Sequence, residues 1–420
     1  MRKVLLTFGL MLSFGFMQAQ SISLDSCISA ARQNWPAFKK QMSIAEKRKL
    51  VQETLNKNYL PKLNISGQAS YQSEVITFPD VPTMPGFFPD LPLDNYNVEA
   101  NLNQTLWDGG IIKSQKDIQV AQTEIEIQQL NVETYGLIGK INELYTNYLF
   151  LSTSEKILLL SVDQLDNNIK NMSSAVENGM VLSSELDNLK AEKLKLKKEL
   201  LNIHSAKQST IDALNIITDL KLDTTYQFDK PQLAANTNIL ARPEIQLLDA
   251  QISYSQASIS KYKTNRMPKL MAFGRLGYGR PGFDPLTTDL HAYYMVGARF
   301  SWDVWDWNIT KKQKQQIHLQ QQIIKDNKES LQKQIAMEER QYMLEEAKYE
   351  QQIALDNEIE VLKKSVYLSA ESKMKNGSIT STEFLKSFNE WKRALLTTEA
   401  DKLRLLKAQI NYQHSKGISN

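Results

Sequence analysis

Two periods alternate along the chain. From Lys62 onward, Leu63, Ile65, Gly67, Ala69 and Tyr71 interleave with Lys62, Asn64, Ser66, Gln68 and Ser70. From Tyr96 onward, Tyr96, Val98, Ala100 and Leu102 interleave with Asn97, Glu99, Asn101 and Asn103. Successive side chains leave a pleated strand on opposite faces, so a period of two predicts a strand. Two later stretches show the same pattern. Leu270, Ala272, Gly274, Leu276 and Tyr278 oppose Lys269, Met271, Phe273, Arg275 and Gly277. Tyr294, Val296, Ala298, Phe300 and Trp302 oppose Tyr293, Met295, Gly297, Arg299 and Ser301. Four strands are predicted, and over these sets one face of each carries no charge.

After the second and fourth strands the period lengthens. Proline is absent from Leu93–Lys230 and Leu286–Asn420, and neither Gly nor Pro interrupts Ala298–Asn376. Helix interiors tolerate both residues poorly. The pattern predicts long helices from about Gly110 to Glu177 and from about Asn308 to Lys375, each extending roughly 100 Å at the rise of an α-helix. In the second, Ile317, Ile324 and Leu331 recur every seven residues with Ile335 four further on, a narrow coiled-coil seam. Turns are predicted at Asn178-Gly179 and Asn376-Gly377, where glycine suits the left-handed position past a helix end. Ser183 or Ser184, and Ser381 or Thr382, are the candidate caps of the returning helices, with Glu185 and Glu383 in the favourable first turn. Shorter helices are expected over Leu24–Asn58 and Pro243–Thr264.

The two halves repeat one another. Pro36, Pro61, Lys62, Leu63, Gly67 and Tyr71 recur 207 residues later as Pro243, Pro268, Lys269, Leu270, Gly274 and Tyr278. Further on the offset is 198: Tyr96, Val98 and Ala100 meet Tyr294, Val296 and Ala298, and Trp107-Asp108 meets Trp305-Asp306. The nine-residue change falls between Tyr71 and Tyr96, so the first copy has the longer loop, with Pro79, Pro82, Pro85, Pro89 and Pro92. Such repetition defines the architecture before any other feature. The expected organisation is a leader over 1–19, a first repeat over 20–218, a linker over 219–240, a second repeat over 241–413 and a tail over 414–420.

A half-buried soluble sheet would also alternate. Three features favour a membrane strand instead: a length near ten residues, Tyr and Trp at the ends as interfacial girdles, and an opposite face suited to a water-filled lumen. The girdle candidates are Tyr71, Tyr96, Trp107, Tyr278, Tyr294, Trp302 and Trp305, and the lumen candidates are Asn97, Glu99, Asn101 and Arg299. Four strands cannot close a barrel, and an open sheet in lipid leaves unpaired edges. The chain is therefore expected to oligomerise. Two copies would supply eight strands and three would supply twelve; a hollow helical tube favours three.

Composition narrows the function classes. The 420 residues are 42% apolar and 23% charged with mean hydropathy −0.41, which excludes repeated apolar membrane helices. Fifty Lys and Arg against 47 Asp and Glu leave +3, or +1 without Arg2 and Lys3, so no basic field calls for nucleic acid. One cysteine excludes a disulfide framework, and four scattered histidines (His204, His291, His318, His414) form no local metal motif. Met1–Gln20 reads as a secretory leader with Ala19 at the cleavage position; an uncleaved anchor is the alternative, disfavoured by the short apolar run. Leu24-Asp25-Ser26-Cys27 faintly matches a lipid-attachment box, but it stands apart from that run, and Cys27 reads as an ordinary thiol.

With these residues in order, the chain resembles the TolC family of outer-membrane efflux proteins. The resemblance rests on Asn34-Trp35-Pro36, Leu60-Pro61-Lys62-Leu63 and Gln104-Thr105-Leu106-Trp107-Asp108-Gly109-Gly110, with their duplication, and spans the chain beyond the leader. It implies a mainly α fold class with a membrane β-barrel. Long coiled-coil helices would form a periplasmic α-barrel tunnel, and four β-strands per protomer would join in a twelve-stranded barrel shared by a homotrimer. It also implies residence in the bacterial outer membrane among its lipids, a periplasmic adaptor (membrane fusion) protein, and an inner-membrane pump reached through that adaptor. The channel would passively conduct drugs, toxic compounds or proteins, without an enzyme activity or cofactor. A soluble periplasmic coiled-coil scaffold or adaptor is the alternative.

In that family the turns after the long helices form the periplasmic tip. Its motif there has a glycine followed six residues later by an acid whose threefold ring lines the constriction. Gly377 and Glu383 match it, as do Gly179 and Glu185. A second acid found in some members is replaced by Lys386, or by Asn188 in the first copy, and a latching arginine by Ile379. Independently of the family, three facing carboxylates in a narrow pore would repel one another and attract cations. Glu383 is the principal gate candidate, with Glu185 and Asp187; the competing readings are a helix-start charge for Glu383 and tip-surface charges for the others. Asn178, Gly179, Asn376 and Gly377 are expected to serve turn geometry and adaptor docking. Gly277-Tyr278-Gly279-Arg280-Pro281-Gly282 has dinucleotide-binding spacing but no helix follows it, so it is set aside. Trp302, Trp305 and Trp307 read as an interfacial belt rather than a stacking platform.

Overall fold

The computed structural model describes residues 21–77, 83, 89–232 and 242–417. The leader, Pro79, Pro82 and Pro85, the end of the linker with the first residue of the second repeat, and the last three residues lie outside them. In chain order the elements are β1 (Ser21–Ile22), α1 (Leu24–Asn34), α2 (Pro36–Lys57), β2 (Lys62–Tyr71), β3 (Asp94–Trp107), α3 (Ile111–Glu177), α4 (Ser183–Thr218) and β4 (Gln227–Phe228). They continue with α5 (Pro243–Thr264), β5 (Lys269–Arg280), β6 (His291–Ser301), α6 (Ile309–Lys375) and α7 (Ser381–Ser415). Both long helices are present and each has 67 residues.

Three expectations need correction. The opening helix is two helices, because Pro36 forces the residue before it out of the helical region: Trp35 sits at φ −68, ψ 128. The cap of α7 is Thr380, one residue earlier than expected, its hydroxyl accepting the Glu383 N–H at 3.3 Å. At α4 neither serine caps; the N-cap position is Leu182, which offers no side-chain bond. The turn glycines behave as expected. Gly179 (φ 70) and Gly377 (φ 71) are left-handed. The following N–H groups of Met180 and Ser378 reach back to Ala175 O at 2.9 Å and Lys373 O at 2.8 Å, the paired bonds of a glycine-terminated helix.

The chain divides into two compact units, each drawing on both sequence repeats. One comprises Met1–Lys39, Glu133–Arg242 and Lys333–Asn420, the other Lys40–Val132 and Pro243–Gln332. The first unit is helical with two apolar clusters. In one, α1, α3, α4 and α7 close over Cys27, Ile28, Ile141, Tyr145, Ile211 and Leu214. A small parallel pairing of β1 with β4 sits beside it, and the Tyr145 hydroxyl donates to Ile22 O (2.7 Å) and Asp229 O (2.8 Å). Burial pushes the Cys27 thiol up to about 12, so it stays protonated and unreactive. The other cluster gathers Leu165, Leu189, Leu196, Tyr367, Phe384, Phe388 and Trp391.

The second unit holds a four-stranded antiparallel sheet ordered β2-β3-β5-β6. Two aspartates fix the passage from sheet to helix. Asp108 is buried and accepts from Gly110 N (2.9 Å), Ile112 N (2.6 Å) and the Tyr59 hydroxyl (3.3 Å). Asp306 repeats the arrangement with Asn308 N (3.1 Å) and Thr310 N (3.0 Å). Each satisfies amides that a helix start leaves without intrahelical partners. Asp108→Ala is expected to lower stability by about 1–2 kcal/mol, read as a lower thermal midpoint in detergent. An unchanged midpoint would mean that α3 starts without this cap. Among the described residues no helix is long and apolar enough to cross a membrane.

Candidate functional site

The sheet register sorts the strand residues onto two faces. One face carries Leu63, Ile65, Val98, Leu102, Leu276, Tyr278, Tyr294, Val296 and Phe300, all exposed to solvent in the single chain. Tyr294 is 77% and Val296 79% exposed, values that a soluble sheet packed on a core would not give. Aromatic residues bracket this face. Tyr71, Tyr96, Tyr278 and Tyr294 lie toward the loop end, and Trp107, Trp302 and Trp305 toward the helix end. Sequence periodicity stops short of the strand ends, however. The strands extend to Asp94 and Arg280, which share this face at the loop end and pair at 2.5 Å, with the Arg280 guanidinium 5.7 Å from the Tyr96 ring centre. The uncharged stretch is therefore closed at one end by a neutralising ion pair.

The opposite face gathers the polar candidates. Asn97, Glu99 and Asn101 stand opposite Gly279, Gly277 and Arg275, and Arg299 stands opposite Met271. Glu99 is joined to Arg275 (3.6 Å) and receives the Tyr293 hydroxyl (3.1 Å), while Arg275 Nε donates to Asn101 (3.1 Å). Gly277 leaves the room that Tyr293 occupies, since a β-carbon there would collide with its ring. The Arg299 guanidinium lies 5.6 Å from the centre of the Phe273 ring. Arg275 and Tyr293 are the residues that the sequence-level site omitted. Both belong to the same period-two sets, but only the register brings them to Glu99.

Both helix turns lie within the first unit. Asn178 closes its turn by donating to Ser174 O at 2.8 Å, and Asn376 N bonds Ser372 O at 3.2 Å. Between the turns is a recess of about 540 Å³ lined by residues including Asn168, Met172, Met180, Met374, Asn376 and Gly377. The two glutamates of the repeated motif have different surroundings. Glu185 is half-buried, and its Oε2 accepts the Ser381 backbone N–H at 2.5 Å, so α4 caps the start of α7. Asn188 adds a 3.3 Å bond to the Ser381 hydroxyl. Glu383 is exposed, and its carboxylate meets no partner among the described residues. Asp187 is also exposed, 3.9 Å from Lys190 on its own helix.

No protein-family model and no curated protein sequence matches the chain. Solved structures do. The outer-membrane channel OprN is 13% identical with a TM-score of 0.73, over 94% of this chain and 89% of its own. The CmeC outer membrane channel of Campylobacter jejuni is 16% identical with a TM-score of 0.70, over 94% and 85%. The outer membrane protein VceC of Vibrio cholerae is 13% identical with a TM-score of 0.71, over 94% and 96%. At these identities the likeness is one of fold. Over nearly its whole length, this chain has the fold of outer-membrane channel proteins.

Proposed function

We propose that the chain is one protomer of a homotrimeric outer-membrane channel of the TolC family. It would conduct substrates passively from a periplasmic adaptor and an inner-membrane pump to the exterior. The observation that carries this reading is the sheet. One face is apolar, exposed and bracketed by aromatic residues; the other is polar, with Glu99, Arg275 and Arg299. A soluble periplasmic scaffold would have to leave Tyr294 and Val296 facing water. Lipid accepts the first face and a water-filled lumen the second. The sheet also ends in two edges, β2 and β6, and an edge has no place in hydrocarbon. Three copies would close it with twelve strands.

The helices support the same assembly. Along α6, Met337, Leu344, Leu355, Leu362 and Val366 are exposed in the single chain, an apolar stripe for neighbouring copies to cover. The tunnel would lie in the periplasm, with the turns at Gly179 and Gly377 at its tip and Glu383 in the constriction. The two repeats, 20–218 and 241–413, would supply alternate staves of the wall. Reconstitution into a planar bilayer tests the function. Discrete, long-lived conductance steps are expected, and a folded complex that inserts without conducting would contradict the reading.

A further inference from the structure

At the helix end of the sheet the tryptophan belt adjoins a group of cations that the channel reading does not use. Trp302, Trp305 and Trp307 are all exposed, Trp307 by 80%, and Trp305 and Trp307 meet edge to face at 5.7 Å. The repeat makes Trp307 stand out. Its counterparts in the first copy are Gly109 for Trp307 and Gly110 for Asn308, at φ 69 and 87. Trp307 and Asn308 hold the same left-handed conformation at φ 51 and 64, which asparagine tolerates and a bulky residue such as tryptophan avoids. The backbone there thus prefers glycine, yet a large indole is presented to the outside.

Cations flank the tryptophan segment in the chain. Lys261, Lys263 and Arg266 lie in a stretch with no acid, and Lys311 and Lys312 open α6; all five are exposed. None of the five is close enough to a carboxylate for a salt bridge among the described residues, though Arg266 lies near enough to Asp306 to interact with its charge. Arg266 is tied to the tryptophan segment in both directions. Its guanidinium donates to Val304 O at 3.1 Å, and the Trp302 indole N–H donates to Arg266 O at 3.0 Å. The stretch holds two acids, Asp303 and Asp306, the second bound to the amides of Asn308 and Thr310, so five positive charges stand against two negative ones.

We propose that this patch binds the anionic headgroups of phospholipids in the leaflet that borders the helix end of the sheet. The proposal rests on the membrane-channel reading, because the patch continues the exposed apolar face directly beyond its Trp band. Indole rings favour the interfacial layer, and the phosphodiester of an anionic lipid complements the cations above it. The five charges would set the depth of the barrel and favour anionic over zwitterionic lipid.

The test uses the full-length complex in mild detergent, titrated with phosphatidylglycerol or phosphatidylcholine, with bound lipid counted by native mass spectrometry. Wild-type protein is expected to bind phosphatidylglycerol preferentially. Since each interfacial charge is worth about a fivefold change in affinity, Arg266→Gln/Lys311→Gln/Lys312→Gln should weaken binding on the order of 100-fold. Lys190→Gln/Lys195→Gln/Lys198→Gln, with the same net change elsewhere, should leave it unaltered. Trp307→Gly should weaken binding while raising the thermal midpoint, because it restores the residue type that the backbone prefers. Equal binding of the two lipids by wild-type protein, or equal losses in the two triple variants, would overturn the proposal. So would loss of the oligomer in the patch variant alone, which would make the patch a contact between copies. A protein that stays soluble without detergent would instead remove the channel reading itself.

Discussion

Phe388→Ala is expected to lower stability by about 3–5 kcal/mol, the range for deleting a fully buried phenyl ring. Phe388 has no exposed surface and sits 6.0 Å from the Phe384 ring and 5.9 Å from that of Tyr367, in the cluster that joins α7 to α4 and α6. Its removal leaves a void within this cluster. Hydrogen exchange should therefore accelerate in the first turns of α4 and α7, together with a fall in thermal midpoint. The sheet of the second unit should keep its protection. Unchanged exchange around Ser381 would mean that this cluster does not hold the turn region together.

Glu383→Gln is expected to reduce the cation preference of single channels several-fold while leaving stability almost unchanged. The exposed carboxylate meets no partner among the described residues, so its charge is available to solution and, in the proposed trimer, to the same residue of the other two copies. Three such charges converging in a constriction would enrich cations there, and the amide would abolish the field at nearly constant size. The competing role is local. An acid in the first turn of a helix contributes about 0.3–1 kcal/mol through the macrodipole. Selectivity and thermal midpoint separate the two: a lower midpoint with unaltered selectivity would confine Glu383 to the helix start. Glu185→Gln provides the contrast. Its side chain is engaged by the Ser381 N–H, and glutamine retains an acceptor oxygen, so selectivity should stay near that of wild type.

Much of the fold was legible because its signals are long. Four strands of period two and two helices of 67 residues without interruption by proline leave little alternative. Local chemistry was harder to place. The opening stretch Leu24–Asn58 is expected as one helix, yet the break at Trp35 follows from Pro36. The caps shifted because the helix starts are decided by where the chain turns, so Thr380 precedes the serine that looked available. The two-residue pairing of β1 with β4 has no period and joins the start of the first repeat to the linker beyond its end.

Contacts between distant segments were beyond sequence periodicity. Arg275 reaches Asn101 across 174 residues, and Glu185 reaches Ser381 across 196. Alternation correctly assigned Asn97, Glu99, Asn101 and Arg299 to one face. Without register it gave no reason to add Tyr293 or to join Glu99 with Arg275. The same limit hid the Asp94–Arg280 pair, since both residues lie beyond the stretch where apolar alternation is visible. The repeated glycine-to-acid spacing makes Glu383 the principal gate candidate with Glu185 behind it, but does not reveal that Glu185 alone faces the start of another helix.

The most direct test of a shared barrel is the mass of the intact complex. Protein extracted in mild detergent from purified outer membranes should give, by native mass spectrometry, the mass of three protomers. A soluble monomer or dimer that needs no detergent would contradict the channel, because the exposed apolar face of the sheet would then be facing water.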